Sequence, residues 1–480
     1  MNGLKRRGSV IPINLSSIFT IGSWFILIYM IIIIAIYGVM LIISFFQIRK
    51  IHQLDQIEPY EEFLQSSFTK PISILVPAYN ESMGICASVR SLLSIEYPEF
   101  EVIVVNDGST DDTLEKLDEV FKLKKINMVI RRHLETKEIR AVYKSTIYPN
   151  LIVADKDNGG KADALNAGIN LSKYPYFCSL DGDSIIERNA FLKVLKPIIE
   201  SDDEVIASGG TVRIANGCVI QNGNLTEIGL SKNPLVTMQV IEYLRAFLTG
   251  RVGLSKNNLL LIVSGAFGVF SKKWVVDAGG YAHTVGEDME LVVRLHRLIK
   301  EKKANKKIIY VPDPVCWTEA PESMKYLRRQ RKRWHKGLFD SLWRHRKLMF
   351  NPKYGTIGMV SMPYFFFIEF LGPVIEMFGY LFFIFSLFTG GVYFEYAILF
   401  FLISMVYGSF YSMAAVLLEE WSMERYTKVS HFITLFLVSL TETFWYRPLT
   451  VFWRIEGIVE MIFRKKGGWG EMVRKGVSNE

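Results

Sequence analysis

Cysteine is scarce in this sequence and widely dispersed. The chain of 480 residues has four cysteines, Cys86, Cys178, Cys218 and Cys316, and no two of them form a CxxC pair. Structural zinc sites and disulfide frameworks need closely spaced or paired cysteines, so these four indicate reduced residues of a cytosolic domain. The P-loop spacing GxxxxGK[ST] is also missing, which argues against a Walker-type ATPase.

Charged residues are missing from one long N-terminal stretch. Residues Ser17 to Phe46 contain no charged side chain. A bilayer core needs about 20 apolar residues, so the run suits one tilted helix and is short for two. The run is too long for a signal peptide and no small-residue cleavage site follows it. We therefore predict a tail over 1–16 and a retained transmembrane anchor over 17–47.

A second apolar block is predicted over 355–453, with candidate spans at 360–388, 393–417 and 430–452, followed by a basic tail over 454–480. Pro363 and Pro373 indicate that the first span starts as an interfacial or broken helix. The basic groups Lys5-Arg6-Arg7 and Arg464-Lys465-Lys466 both favour the inner side of the membrane, as does the long loop between the blocks. An odd number of spans on either side of the loop would place these terminal basic groups on the outer side of the membrane. Either the number of spans is therefore miscounted, or the positive-inside rule is overridden in this protein.

Between the apolar blocks, short β-rich runs alternate with helix-like stretches. Strands are expected at 72–77, 102–105, 151–154, 176–180, 205–212, 259–264 and 307–311. Such alternation predicts a doubly wound α/β sheet, and ligands bind such sheets at the carboxyl ends of the strands. The domain is expected over 48–320.

Polar residues follow several of the predicted strands. Asn80-Glu81, Asp107-Gly108-Ser109 and Asp181-Gly182-Asp183 each come directly after a strand. Asp107 can accept hydrogen bonds from a uracil or a ribose. Asp181 and Asp183 flank one glycine, so a turn can point both carboxylates at one ligand. Two carboxylates with diphosphate oxygens suit Mg²⁺ or Mn²⁺.

Two further short segments carry chemistry. Lys161 follows a glycine pair at a predicted helix start, where backbone amides and a lysine favour an anion. Asp288, in the segment Gly286-Glu287-Asp288, can serve as a base that takes a proton from an acceptor hydroxyl. An acidic helix N-terminus favoured by the helix dipole would explain the same residues.

A basic stretch is predicted as an interfacial helix over 321–354. Lys325 to Lys347 contains twelve Lys, Arg or His residues and one acid, Asp340. Arginine side chains can bind a pyrophosphate, and an exposed tryptophan can support a sugar. An amphipathic helix resting on lipid headgroups is the alternative, and both can hold together. Nucleic acid is a poor candidate partner because the stretch directly precedes an apolar block. The candidate diphosphate and acceptor residues are Gln330, Arg331, Arg333 and Trp334, with Ser264, Gly265 and Trp317.

Together these motifs resemble the processive membrane β-glycosyltransferases of family 2, which include cellulose, chitin, hyaluronan and poly-N-acetylglucosamine synthases. The resemblance covers roughly 71–334 and the apolar block behind it. The motifs that carry it, in family order, are Pro77-Ala78-Tyr79-Asn80-Glu81, Asp107, Gly160-Lys161, Asp181-x-Asp183, Glu287-Asp288 and Gln330-x-x-Arg333-Trp334. One departure is Asn106, where many members carry a second aspartate.

The resemblance implies a GT-A fold, a UDP-sugar donor, Mg²⁺ or Mn²⁺ and inversion at the anomeric carbon. It implies that Asp183 binds the metal and that Asp288, beside Glu287, is the base. The residues implied in nucleotide-sugar binding are Pro77, Tyr79, Glu81, Asp107, Lys161 and Asp181.

The resemblance further implies a multi-pass protein of the plasma membrane with a cytoplasmic catalytic domain. Its acceptor would be a growing polysaccharide, with N-acetylglucosamine the first candidate sugar and glucose the second. Two alternatives for the function stay open: a non-processive transferase that adds a single sugar to a lipid acceptor, and an inactive scaffold of an export complex. Export or accessory subunits are further candidate partners.

Overall fold

The computed structural model describes residues 15–57, 69–221, 224–389, 394–423, 426 and 428–463. Most of the predicted N-terminal tail, with Lys5-Arg6-Arg7, and most of the basic C-terminal tail, with Arg464-Lys465-Lys466, lie outside the described residues. A long helix, α1 (Leu15–Ile57), precedes an α/β domain, and further helices follow that domain.

The α/β domain contains twelve described strands. They are β1 (Ile72–Ala78), β2 (Phe100–Asn106), β3 (Leu123–Ile126), β4 (Ile139–Ser145), β5 (Leu151–Lys156), β6 (Tyr176–Ser179), β7 (Ile185–Ile186), β8 (Val205–Ile214), β9 (Val219–Gln221), β10 (Asn224–Glu227), β11 (Gly268–Ser271) and β12 (Lys307–Thr318). The helices between them are α2 (Ile85–Leu93), α3 (Thr113–Phe121), α4 (Lys161–Leu171), α5 (Ala190–Glu200), α6 (Pro234–Leu244), α7 (Val252–Ser255), α8 (Lys272–Asp277) and α9 (Glu287–Glu301). A π-helical turn, Arg245–Arg251, joins α6 to α7.

Ten strands form one mixed sheet in the order β3-β4-β5-β2-β1-β6-β11-β8-β12-β7. Strands β5, β2, β1 and β6 run parallel, and β8 pairs with β12 in parallel. Strand β11 is antiparallel to both of its neighbours, as are the edge strands β3, β4 and β7 to theirs. The predicted doubly wound sheet is therefore confirmed as an α/β sheet, but the sheet is mixed.

The strand predicted at 259–264 is wrong. Residues 259–267 form no strand, and β11 begins only at Gly268. Leu260, Leu261 and Val263 are nevertheless fully buried. Their apolar side chains pack into the core without a backbone ladder, and an apolar run alone does not distinguish these two forms of burial.

Helices close the described chain after the sheet. They are α10 (Met324–Arg344), α11 (Met362–Tyr364), α12 (Gly372–Thr389), α13 (Phe394–Met423), α14 (Val429–Thr441) and α15 (Tyr446–Ile462). Short 3-10 turns at Arg346–Leu348 and Pro352–Tyr354 follow α10, and π-helical turns at Ile357–Ser361 and Phe365–Phe370 flank α11. The irregular start expected for the first predicted span is therefore present.

Two helical stretches among the described residues are long and apolar enough to cross a membrane, Phe19–Gln53 and Ile357–Phe385. The span predicted over 430–452 is not one helix, because α14 ends at Thr441 and α15 starts at Tyr446. Glu442 lies at the break, where it forms an ion pair with Arg245 and accepts a hydrogen bond from Ser412. Pro448 falls in the first turn of α15, a position where proline costs no helical hydrogen bond.

Candidate active site

The candidate site lies at the carboxyl ends of the parallel strands β1, β2 and β6. A Cβ atom on Gly182 would lie 3.5 Å from the Glu81 side chain and 3.5 Å from the Pro77 carbonyl oxygen. The Asp181-Gly182-Asp183 turn after β6 therefore packs against the segment that follows β1. Tyr79, in that segment, is half exposed. The sequence motifs 77–81 and 181–183 thus meet at one edge of the sheet.

Asp107 organises the loop that precedes α4. Its Oδ1 accepts hydrogen bonds from the buried Lys156 ammonium at 2.6 Å and from the Gly159 amide at 3.0 Å. Its Oδ2 accepts one from the Gly160 amide at 2.7 Å. Both carboxylate oxygens are thus engaged inside the protein, and the side chain is only 2% exposed. Asp107 is placed to hold the glycine loop in position beside the site.

Lys156 is a buried residue of this site that the sequence did not reveal. Its ammonium forms ion pairs with Asp107 and Asp163, each at 2.6 Å, and its side chain is fully buried. In the sequence Lys156 stands between two aspartates, a pattern typical of a solvated loop. Only the folded domain brings Asp107 and Asp163, which are distant from Lys156 in the sequence or on another element, next to its ammonium.

Lys161 stands at the first position of α4, after Gly160 with its φ of 86°. Its ammonium lies 2.6 Å from Asp181 Oδ1 and 3.5 Å from Glu287 Oε1. Burial alone would lower the pKa of Lys161, but the Asp181 and Glu287 carboxylates outweigh burial and raise that pKa. The lysine is therefore charged, and it links the turn after β6 to the start of α9.

Glu287 and Asp288 begin α9. Burial raises the pKa of Glu287, with the Asp288 charge adding to the effect and Lys161 opposing it. Asp288 is half buried, and its Oδ1 accepts a hydrogen bond from the Met289 amide at 2.8 Å. A Cβ atom on Gly265 would lie 2.7 Å from Asp288 Oδ2, so only glycine leaves room for this carboxylate.

Asp181 and Asp183 suit a metal ion that takes most of its ligands from substrate phosphates and water. Among the described residues, no group of three or more His, Cys, Asp or Glu side chains is arranged to hold a metal ion. Asp181 and Asp183, which flank Gly182, offer two carboxylates, and Thr318 Oγ1 lies 3.5 Å from Asp183 Oδ2. Mg²⁺ typically binds through one or two carboxylates together with substrate phosphates and water. The donor set therefore fits a divalent cation bound together with a diphosphate.

Several cations of the basic helix α10 form ion pairs with neighbouring helices. Arg331 is 1% exposed and forms an ion pair with Glu242 of α6 at 2.6 Å. Burial would lower the pKa of Arg331, but the Glu242 charge outweighs burial and raises it. Lys332 and Lys336 both pair with Glu460 of α15. The prediction that Arg331 faces a ligand is therefore wrong, because its guanidinium is buried and paired with Glu242.

Trp334 keeps the exposed position that the sequence predicted. It is 43% exposed, and the Arg331 guanidinium lies 4.3 Å from the centroid of its ring. The Tyr243 ring also lies near it, with ring centroids 6.3 Å apart. Gln330 is buried and contacts Arg331, whereas Arg333 is half buried.

Tyr243 lies beside Trp334, within electrostatic range of Asp183. Burial raises the pKa of Tyr243 to about 12, and the charges that act on its hydroxyl include Arg331 and Asp183. A second connection is a backbone contact between α10 and the start of α9. A Cβ atom on Gly337 would lie 2.9 Å from the Gly286 Cα atom. The basic helix therefore touches the segment that carries Asp288.

Arg251 is another residue that sequence reasoning missed. It ends the π-helical turn, and its guanidinium stacks on the Phe247 ring at 3.7 Å. Within the described part of the chain, its buried Nε has no hydrogen-bond partner. Burial lowers its pKa, and Tyr310, Asp288 and Tyr243 are among the groups that oppose this. The π-helical turn was the only available signal, since such turns are frequent at functional sites, and it is not visible in the sequence.

Two predicted acceptor residues serve the fold. Trp317 on β12 is fully buried in an apolar cluster, and its indole nitrogen donates to Glu187 at 3.3 Å. It cannot cover a ligand, so that prediction is wrong. Ser264 Oγ accepts hydrogen bonds from the Ala266 and Phe267 amides and stabilises the turn at Gly265.

Comparisons with known proteins agree with this geometry. The Glycosyl transferase family 2 model matches residues 73–275, and the Glycosyl transferase family group 2 model matches 178–441. A poly-beta-1,6-N-acetyl-D-glucosamine synthase of Staphylococcus epidermidis is 31% identical over 276 residues, which are 57% of this chain and 56% of that protein. The synthase of the same name from Staphylococcus aureus strain COL is 30% identical over the same shares. The alignment thus spans about half the length of these curated relatives.

A solved structure shows the same fold. A mannosyltransferase of Pyrobaculum calidifontis, in complex with GDP-Man and Mn²⁺, superposes with a TM-score of 0.50 at 14% identity, over 90% of this chain and 99% of that one. At this identity the likeness concerns the fold alone. The family group 2 match extends over more than half of the chain, and its first residues include the Asp181 turn. The chain belongs to the family 2 glycosyltransferases.

Proposed function

We propose that the chain transfers N-acetylglucosamine from UDP-N-acetylglucosamine to the end of a growing β-linked polysaccharide at a membrane. The observation that carries the proposal is the convergence of Asp181, Lys161, Glu287 and Asp288. Lys161 forms ion pairs with Asp181, in the turn after β6, and with Glu287, at the start of α9. The sugar follows the names of the staphylococcal relatives, and UDP-glucose is the second candidate.

On the donor side, the edge formed by Pro77, Tyr79, Glu81 and Asp181 receives the nucleotide. Asp107 acts as a positioning residue, because its oxygens hold the Gly159-Gly160 loop and thereby the start of α4. Lys161 at that helix start supports the diphosphate through its charge and the adjacent backbone amides. A divalent cation held by Asp183 and Asp181 would neutralise charge on the diphosphate.

Arg251 is proposed to take part of the diphosphate charge in place of Arg331. Arg331 is locked to Glu242, whereas the Arg251 guanidinium is held only by stacking on Phe247 within the described residues. Arg333 is the second candidate from the basic helix. Preorganised cations next to the leaving group stabilise the charge that develops on it.

Asp288 is the base of the transfer. It takes the proton of the acceptor hydroxyl, whose oxygen forms the new bond to the anomeric carbon from the face opposite UDP. The bond between the anomeric carbon and the β-phosphate oxygen breaks, and UDP leaves with the electron pair. Gly265 keeps space beside the Asp288 carboxylate, and Trp334 offers the acceptor sugar an exposed ring.

Membrane placement rests on the apolar helices Phe19–Gln53 and Ile357–Phe385. The domain boundaries proposed from the sequence are kept, with the α/β domain over 48–320 on the cytoplasmic side. Polymer export through the helices and accessory subunits are parts of the same proposal. Polar contacts within the helical block, such as Arg447 with Glu376, support a lining that tolerates sugar hydroxyls.

The test uses membranes that contain the full chain. They are incubated with radiolabelled UDP-N-acetylglucosamine or UDP-glucose, with Mg²⁺ or Mn²⁺ or with a chelator, and the products are separated by size. A ladder of long products from UDP-N-acetylglucosamine, lost with the chelator and in Asp288→Asn, is expected. Transfer of one sugar to a lipid would overturn polymerisation, and full activity of Asp288→Asn would overturn the assigned base.

A further inference from the structure

A cleft outside the catalytic site lies between α1 and α13. Its volume is about 430 Å³, and its lining residues are Phe45, Arg49, His52, Gln53 and Trp421. The rings of Phe45 and Trp421 stack with centroids 5.4 Å apart, and the His52 ring lies 6.1 Å from Trp421. Ligand sites commonly enclose about 300–1,000 Å³, so the cleft is large enough for a small polar group.

The position of the cleft matches a membrane interface. The uncharged run of α1 ends at Ile48, directly before Arg49. Phe45 is 39% exposed and Trp421 is 46% exposed. Tryptophan concentrates at the headgroup level of bilayers, and arginine near the end of a spanning helix reaches towards the same level.

The charge of the cleft favours an anion. None of its five lining side chains is acidic. Within the described part of the chain, no carboxylate pairs with the exposed Arg49, and the nearby Glu419 is already paired with the buried Arg213 of β8. An arginine fork beside aromatic rings matches a phosphate attached to an apolar tail.

We propose that this cleft binds the headgroup of an anionic phospholipid from the surrounding leaflet. The phosphate contacts Arg49 and His52, and the glycerol and first acyl carbons pack against Phe45 and Trp421. Basic pockets between membrane helices bind such headgroups. The inference rests on the membrane placement proposed above, and it adds a lipid site to the sugar-transfer function.

A series of contacts connects the cleft to the catalytic sheet. Trp421 lies two residues after Glu419, whose buried ion pair reaches Arg213 near the end of β8. Strand β8 pairs with β12, and Thr318 at the end of β12 contacts Asp183. Contacts between neighbouring elements therefore extend from the cleft to the turn that carries Asp183.

The experiment reconstitutes the full chain into bilayers of phosphatidylcholine with a minor fraction of phosphatidylglycerol. The protein is then extracted in mild detergent, and retained phosphatidylglycerol is counted by native mass spectrometry. Arg49→Gln should lower retention about tenfold, the loss expected when a hydrogen bond between charged groups is removed. Arg49→Lys should restore most of it. The matched control is Lys50→Gln, which removes the same charge one residue further on, outside the cleft lining.

The outcomes separate this proposal from the proposed function. Equal losses in Arg49→Gln and Lys50→Gln, or displacement of the lipid by inorganic phosphate, would overturn the lipid site. Flotation of the wild-type protein with the bilayers and its sugar-transfer activity are measured on the same preparation. Flotation and transfer without retained phosphatidylglycerol refute the cleft alone, whereas failure to float refutes the membrane placement on which both proposals rest.

Discussion

Two charged clusters of this protein differ in how their charges are balanced. At the sheet edge, Lys161 lies between Asp181 and Glu287, with Asp288 next in sequence, so these carboxylates outnumber the cation that the described residues place among them. On the basic helix, Arg331 pairs with Glu242, while Lys332 and Lys336 share Glu460, so each of these cations has a carboxylate partner although the cations are in excess. The first cluster keeps an excess of negative charge, which a divalent cation bound together with the diphosphate can neutralise. The second cluster joins helices, although its sequence carries the higher charge density.

The largest expected effect is at Asp288. Asp288→Asn removes the proposed base while keeping the size of the side chain, so the transfer rate should fall by about 10²–10⁴-fold. UDP binding should stay nearly unchanged, because the proposed nucleotide contacts lie elsewhere. Transfer is measured with radiolabelled donor, and UDP binding by calorimetry. The control Asp277→Asn alters a surface carboxylate paired with Lys302 and should keep full activity.

A stability experiment examines the second cluster. Arg331→Met removes the main ion-pair partner of Glu242, which keeps its hydrogen bond from Tyr446 and the more distant Arg454, and should lower the free energy of unfolding by about 1–3 kcal/mol. Thermal unfolding of the detergent-extracted protein measures the change. Arg329→Met on the same helix is the control, since Arg329 is exposed and should lose less than about 0.5 kcal/mol. If adding Glu242→Gln to Arg331→Met recovers no stability, the two residues do not act as a pair.

A variant of Lys161 examines the charge balance of the first cluster, in which carboxylates outnumber the lysine. Lys161→Met removes the only cation seen between Asp181 and Glu287 in the described part of the chain. We expect the KM for the UDP-sugar to rise about 10–100-fold, the loss for a hydrogen bond to a charged group. Steady-state kinetics measures it, with the exposed Lys173→Met as the control. An unchanged KM would mean that Lys161 serves the fold and not the donor.

The smallest expected effect concerns the contact between the two clusters. Gly337→Ala places a methyl group 2.9 Å from the Gly286 backbone, so α10 and the start of α9 must separate. Overpacking of this kind costs about 1–3 kcal/mol, and the displaced Asp288 should lower transfer as well. Gly84→Ala meets no atom within 4 Å and is the matched control for stability and transfer. Equal behaviour of the two variants would show that the clusters are not coupled.

Parallel strands explain why much of the site was predictable. The carboxyl ends of β1, β2 and β6 share one edge, so polar residues directly after each strand had to meet there. Asp107 was placed correctly by this rule, but its oxygens face Lys156 and the glycine loop. The sequence pattern locates a carboxylate but does not say whether a ligand or the protein satisfies it.

Residues on elements far apart in sequence could not be assigned in this way. Arg331 and Arg333 are two positions apart in one basic motif, yet only Arg331 meets Glu242 of α6. Arg251 became a candidate for binding the diphosphate because it ends a π-helical turn, and such a turn has no sequence signature. The prediction of a strand at 259–264 was wrong because its apolar residues are buried in the core without forming a β-ladder, and the sequence pattern does not distinguish the two cases.

By itself the sequence determined the alternation of strands and helices, the apolar helices and the family motifs, because these depend on local residue order and spacing. Only the tertiary structure decided which charges neutralise one another, since an ion pair depends on distances between elements that the chain order does not set. The tertiary structure therefore makes the basic helix a contact between helices, and it leaves the acidic edge with an excess of negative charge that a bound divalent cation can offset.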